Sequence, residues 1–140
     1  MLDLWYQQEF TVSEVLFMTI KEVSEKYDVS PDTIRYYERI GLIPHVPRKE
    51  NGIRDFDEQA CGWVEFSKCM RSAGVQVEAL IEYVELFFQE GTEAARKEIL
   101  VEQRARLQEQ YDQLKATMER LDYKIAHYEE LMAKKCPSLK

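Results

Sequence analysis

Glycine and proline are scarce, five and four in 140 residues, so the chain is neither a low-complexity linker nor a loop-dominated scaffold. No apolar run is long enough to span a bilayer, so neither a membrane helix nor a membrane partner is expected. The opening segment "MLDLWYQQEFTVSEVLF" lacks the basic head and unbroken apolar stretch of a secretory signal, so a cytoplasmic location is expected. Cysteines number three, Cys61, Cys69 and Cys136, with no CxxC pair; this argues against a disulfide framework and a closed structural zinc site. The two histidines, His45 and His127, have no clustered ligands around them and are expected at the surface. Nucleotide-binding glycine patterns, a Ser-His-Asp set and a catalytic carboxylate pair are all missing, so neither an enzyme nor a cofactor or metal site is expected.

What is present is uneven. The formal net charge is −7, which excludes a chain that coats nucleic acid by bulk charge. Yet between residues 31 and 54 basic side chains outnumber acidic ones five to three, with Arg35, Arg39, Arg48, Lys49 and Arg54 set around Tyr36 and Tyr37. Salt screens charge beyond roughly 8–10 Å, so such a patch acts independently of the overall balance.

Local signals organise this stretch. "TIKE" at 19–22 is a capping box, and Ile20, Val23 and Tyr27 follow at helical spacing. Ser30 is a good N-cap, Pro31 a good first helical residue, and Gly41 is suited to end the second helix in the left-handed conformation. Two short helices across a three-residue turn, within 21–40, read as helix-turn-helix. Pro44 and Pro47 forbid another helix at once, and Asn51-Gly52 is a strong hairpin signal, predicting a two-stranded wing over about 45–56. A helix pair follows over 57–91, the first helix capped by Asp57 and stopped by Gly74, the second stopped at Gly91. Trp63, Phe66, Met70 and Ala73 form the core stripe of the first, with Cys69 at its flank and Cys61 on the opposite, polar side.

The last helix, over 92–134, is of another kind. Leu107, Tyr111, Leu114, Met118, Leu121, Ile125, Tyr128 and Met132 recur at alternating steps of four and three, a heptad seam. A lone helix cannot bury such a seam, and a second copy in a homodimer is the expected partner. The fold class is therefore mainly α: a winged helix-turn-helix domain over 18–91, preceded by an extension at 1–17, then a long coiled-coil helix and a tail at 135–140.

On a helical wheel Ile34, Tyr37 and Gly41 face the first helix, while Asp32, Arg35, Tyr36 and Arg39 face out. An outward Arg-Tyr-Arg face on such a second helix suits double-stranded DNA. Arginine forks onto guanine edges or phosphates, and a tyrosine hydroxyl reaches a phosphate.

The run "TIKEVSEKYDVSPDTIRYYERIGLIP…NGIRDF", with the helix pair and long helix after it, resembles the MerR family of bacterial transcription regulators over about residues 18–132. The resemblance implies a DNA-binding set of Ser30, Thr33, Arg35, Tyr36 and Arg39 on the helix-turn-helix, Arg48, Asn51 and Arg54 on the wing, and Arg71 after them. Ile53 and Phe56 stand where many relatives have residues such as Tyr, so a hydroxyl contact to phosphate is lost there. It further implies a dimer on promoter DNA with an overlong spacer, distorted so that RNA polymerase is engaged indirectly, through DNA shape. The segment "EFSKCMRSAG" resembles a thiol-based branch named after NmlR and AdhR, which implies Cys69 as sensor of a small electrophile such as an aldehyde, or of nitrosative stress. Lys68 and Arg71 lie close by in sequence, and neighbouring cations favour a thiolate. An adduct at Cys69 is expected to enter a packed boundary and disturb Arg71. Two alternatives stay open: a metal sensor in which Cys61, Cys69 and Cys136 converge, and a coiled-coil interaction module whose arginines are only solvated.

Overall fold

The computed structural model describes residues 17–135. Among them five helices run in order: α1 Ile20–Tyr27, α2 Pro31–Ile40, α3 Glu58–Ser72, α4 Val77–Phe87 and α5 Glu93–Lys135. Residues through Gln103 form one compact unit and those from Arg104 onward a second. Cys136 and most of the 1–17 extension lie outside the described residues.

Helix α1 starts in the reciprocal cap its sequence predicts. Thr19 Oγ1 accepts from Glu22 N at 3.2 Å, and Glu22 Oε1 accepts from Thr19 N at 3.1 Å. That bond from the Thr19 backbone, with the side-chain one, holds the Glu22 carboxyl below its ordinary pKa. The helix closes on Asp28 at φ 54°, a left-handed position that Asp tolerates better than most side chains. Ser30 caps α2 by accepting from Thr33 N, Pro31 occupies its first turn, and Gly41 ends it at φ 82°. Helix α1 packs on both α2 and α3.

The core of this unit is apolar and aromatic. Val23, Ile34, Leu42, Ile43, Val46, Phe56 and Val64 are buried. Trp63 is at its centre, edge-on to Phe87 at 5.0 Å, Phe66 at 6.0 Å and Tyr83 at 6.3 Å between ring centroids. The predicted stripe on α3 is only partly right: Met70 is half-buried and Ala73 exposed, because the helix ends at Ser72 and Gly74 carries the chain away at φ 90°. Helix α4 also stops short of Gly91. Gln89 N donates to Leu86 O at 3.0 Å, and the Thr92 hydroxyl takes up the same carbonyl at 2.6 Å, ending the helix at Phe87.

The wing differs from the two-stranded ladder its Asn-Gly signal predicts. Among the described residues it is one antiparallel bridge, Arg48↔Arg54, closed by Gly52 N to Lys49 O at 2.9 Å. Pro47 has no N–H to extend the ladder. Instead the base of the wing pairs elsewhere: Met18 and Phe56 exchange both backbone bonds at 2.9 Å, so the residue before α1 supplies the missing edge.

Helix α5 enters the first unit through Gln103, which is buried; its Oε1 accepts from Gln76 N, the cap position of α4, at 3.3 Å. Past Arg104 its seam residues are uncovered in the single chain, Tyr111, Leu114, Met118, Leu121, Ile125 and Tyr128 all being more than half exposed and Leu107 half-buried. Among the described residues no helix is long and apolar enough to cross a membrane.

Candidate nucleic-acid interface

Helix α2 turns Ile34 fully inward, which sends Arg35, Tyr36 and Arg39 to its exposed side, as the wheel predicts. Tyr37 is half-buried, and its carbonyl accepts from Leu42 N at 2.9 Å. On the outer face Arg39 lies over the Tyr36 ring, 5.3 Å from its centroid, so the two present one flat cationic surface. Arg35 is paired with Asp32 at 2.9 Å, with side chains 45 % and 96 % exposed. An exposed pair of this kind holds by roughly 0–1 kcal/mol, little enough for a phosphate or base edge to take Arg35 away from it.

Ser30 and Thr33 stand at the start of α2 with their hydroxyl oxygens 2.8 Å apart. They line one open cleft with Lys68, Arg71 and Ser72 from the end of α3, so the first turn of α2 and the last of α3 meet there. Two cations line this cleft against one carboxylate, Asp28, and the helix start adds its backbone dipole, a balance that favours an anion. Arg71 is exposed and its Nη1 donates to Val75 O at 2.7 Å, while Lys68 Nζ donates to the Tyr27 carbonyl.

The three wing residues are each committed within the fold. Arg48 Nη1 donates to Gly52 O at 2.9 Å, and Asn51 Oδ1 accepts from Ile53 N at 3.1 Å, so both shape the turn they sit on. Arg54 is drawn inward: its Nε donates to Glu38 Oε1 at 2.8 Å and its side chain is 21 % exposed. Glu38 itself is 7 % exposed; Oε2 accepts from Val46 N at 2.6 Å and lies 3.4 Å from His45 Nδ1. Burial pushes the Glu38 carboxyl up, but the Val46 N–H, the Arg54 bond and charge, and His45 outweigh it and leave the pKa below the ordinary carboxylate value. Sequence reasoning missed Glu38 and left Lys68 out of the interface. At 100° per residue Glu38 lies about 40° from Ile34, on the core side, and a carboxylate there was the available signal. Ile53 is exposed and Phe56 fully buried, so neither carries a hydroxyl to the surface.

The two described cysteines exchange the surroundings expected of them. Cys61 is buried, not on a polar side: Met18 Sδ is 3.8 Å from its Sγ and the Phe56 carbonyl 3.9 Å. Burial pushes its thiol up to about 11, with Asp57 and Glu58 adding to the shift and Lys26 opposing it. The wheel failed because the Met18–Phe56 pairing covers the face of α3 that the local pattern leaves open. Cys69 is exposed, so an adduct there meets solvent first and not a packed boundary. Among the described residues no group of His, Cys, Asp and Glu side chains could hold a metal ion.

Residues 19–56 match the model of the MerR family regulatory proteins. Over 91 residues the chain is 53 % identical to the HTH-type transcriptional regulator AdhR of Bacillus subtilis (strain 168), covering 64 % of this chain and 65 % of AdhR, just under two thirds of that protein. A Listeria monocytogenes protein assigned to the MerR family of transcriptional regulators has a crystal structure that superposes with a TM-score of 0.82 at 46 % identity, over 88 % of this chain and 94 % of that one. HiNmlR, a MerR family regulator lacking the sensor domain and bound to promoter DNA, superposes with a TM-score of 0.74 at 27 % identity, over 84 % of this chain and 94 % of that one. These relatives are helix-turn-helix transcription regulators and not enzymes. The chain belongs to the MerR family of transcription regulators, on the side of its AdhR and NmlR members.

Proposed function

We propose that the protein is a cytoplasmic homodimer that binds promoter DNA sequence-specifically and regulates transcription, as an activator and also as a repressor, in response to an aldehyde or to nitrosative or oxidative stress. The observation that carries the DNA reading is the outer face of α2, where Arg35, Tyr36 and Arg39 are exposed above a fully buried Ile34. HiNmlR, of similar fold, is bound to promoter DNA, which supports the same reading here. In it, Arg35 and Tyr36 read or anchor along the groove, and Ser30, Thr33 and Arg71 take a phosphate in their common cleft. Arg48, Asn51 and Arg54 set the wing on the flanking backbone. Two copies clasped through the α5 seam present two such faces, and the spacing between them distorts an overlong spacer, so that RNA polymerase responds to DNA shape.

Cys69 is the sensor in this reading, and its surroundings give a route for the signal. It sits in the last turn of α3 between Lys68, which holds the end of α1, and Arg71, which holds the α3–α4 turn at Val75. The next residue, Gln76, is held in turn by Gln103 of α5. Side chains one and two residues apart on a helix do not face each other, so an adduct on the exposed Cys69 thiol acts through the helix end itself, at the turn shared by the DNA grip and the dimer helix. Cys69→Ala or Cys69→Ser is expected to keep operator binding within about 2-fold, as exposed substitutions change little, and to lose aldehyde-induced transcription from a reporter. Full induction in either variant removes Cys69 from the mechanism.

A further inference from the structure

On the wing, the guanidinium of Arg54 leans on a buried carboxylate. We propose that Glu38 is a positioning residue of the DNA interface: it orients Arg54, and with it the wing, so that the remaining guanidinium donors meet the DNA backbone. This inference rests on the DNA-binding reading given above.

A guanidinium carries five N–H donors in a rigid fork. Glu38 takes only the Nε–H, at 2.8 Å, and no other hydrogen bond to the Arg54 side chain occurs among the described residues. Four donors on the terminal nitrogens are left for a phosphate, aimed by the one that is held. The second carboxylate oxygen accepts from Val46 N at 2.6 Å, at the entrance to the wing. One side chain of the recognition helix thus ties down both arms of the wing, at Val46 before the turn and at Arg54 after it. The other ties on the wing are backbone ones, the Arg48↔Arg54 bridge and the Met18–Phe56 pair at its base; Glu38 is the side chain that joins it to the recognition helix. The Glu38 side chain is 7 % exposed, so little solvent competes for these bonds.

Long-range attraction and local positioning predict opposite signs for Glu38→Gln. The substitution deletes a negative charge close to an anionic ligand, which by attraction alone strengthens binding. Positioning predicts the reverse. The amide oxygen of the variant still accepts from Val46 N, but the side chain no longer holds Arg54 by charge, so about a ten-fold loss of affinity is expected. The loss should be equal on a duplex covering the region upstream of the protein's own gene and on a random-sequence duplex, and the salt slope should fall by about one phosphate contact. Gel shifts with the full chain over a range of salt concentrations read all of these.

Arg54→Lys keeps the charge, removes the fork and tests the same link without altering Glu38. It should lose as much as Glu38→Gln, and the double variant no more than either, because the two act as one unit. Unchanged or tighter binding by Glu38→Gln with an unaltered salt slope overturns the proposal, as does wild-type affinity in Arg54→Lys. If the wild-type protein binds neither duplex, the DNA reading itself falls; if the wild type binds and both variants match it, only the role of Glu38 falls. Should Glu38→Gln fail to fold by circular dichroism, Arg54→Lys decides alone.

Discussion

In the unit that ends at Gln103, large apolar side chains such as Trp63, Ile34 and Phe56 are almost wholly removed from water. From Arg104 onward the position is reversed: Leu114 is 61 %, Leu121 54 % and Ile125 57 % exposed along a regular heptad line. One region meets its hydrophobic demand within the chain and the other leaves it open. Burying a Leu or Ile side chain is worth roughly 1.5–3 kcal/mol, so a seam of this length is a strong demand for a partner helix. The contrast separates a unit that buries its own apolar side chains from one that leaves its seam open.

The sharpest break in that contrast is Leu121→Glu. In a two-fold assembly it places a charge in both halves of the seam and is expected to cost about 4 kcal/mol or more, since each Leu lost from a core costs roughly 2–5 kcal/mol. Sedimentation should show single chains, while circular dichroism of the first unit stays folded and operator binding collapses. Trp63→Ala acts on the other side. It should cost about 3–5 kcal/mol within the chain, lowering the unfolding midpoint without changing the concentration at which copies associate.

A smaller effect separates the two cysteines. Iodoacetamide at neutral pH should label Cys69 and spare Cys61 until the protein is unfolded, read by peptide mass spectrometry. The sign for Cys61 follows from its raised pKa. The folded state favours the neutral thiol, so its contribution to stability is complete below the ordinary thiol value of 9.0 and is lost as pH rises through about 11. Cys61→Ala should remove that alkaline component from the stability profile.

Glu38 titrates in the opposite sense. Its folded pKa lies below the ordinary carboxylate value, so its contribution is present above that value and is lost as acid protonates the folded state. Denaturant melts of wild type and Glu38→Gln should converge at acid pH and diverge toward neutrality. The smallest effect is at the α1 cap, where Thr19→Ala should cost about 1 kcal/mol, measured as a shift in denaturant midpoint with unchanged slope.

These regions also differ in how far they are legible in the chain. The caps at Thr19, Ser30 and Asp57 and the stop at Gly41 need only residues within a turn of themselves, and each stands as read. The outward face of α2 follows from one buried Ile34. The wing does not, because a ladder depends on which donors a distant strand can use, and Pro47 has none to offer. Nor does Cys61, covered by a residue 43 positions earlier, or Glu38, whose partners lie 8 and 16 positions onward.

Helix positions, the turn between α1 and α2, and the unpaired seam were already set by residue order, because caps, breakers and periodicity are short-range properties of the chain. Folding in three dimensions was needed to settle which arginine is exposed and which is drawn inward, which thiol meets water, and how the wing is anchored. Those outcomes depend on desolvation and on hydrogen bonds between segments far apart in sequence, and no local pattern carries that information.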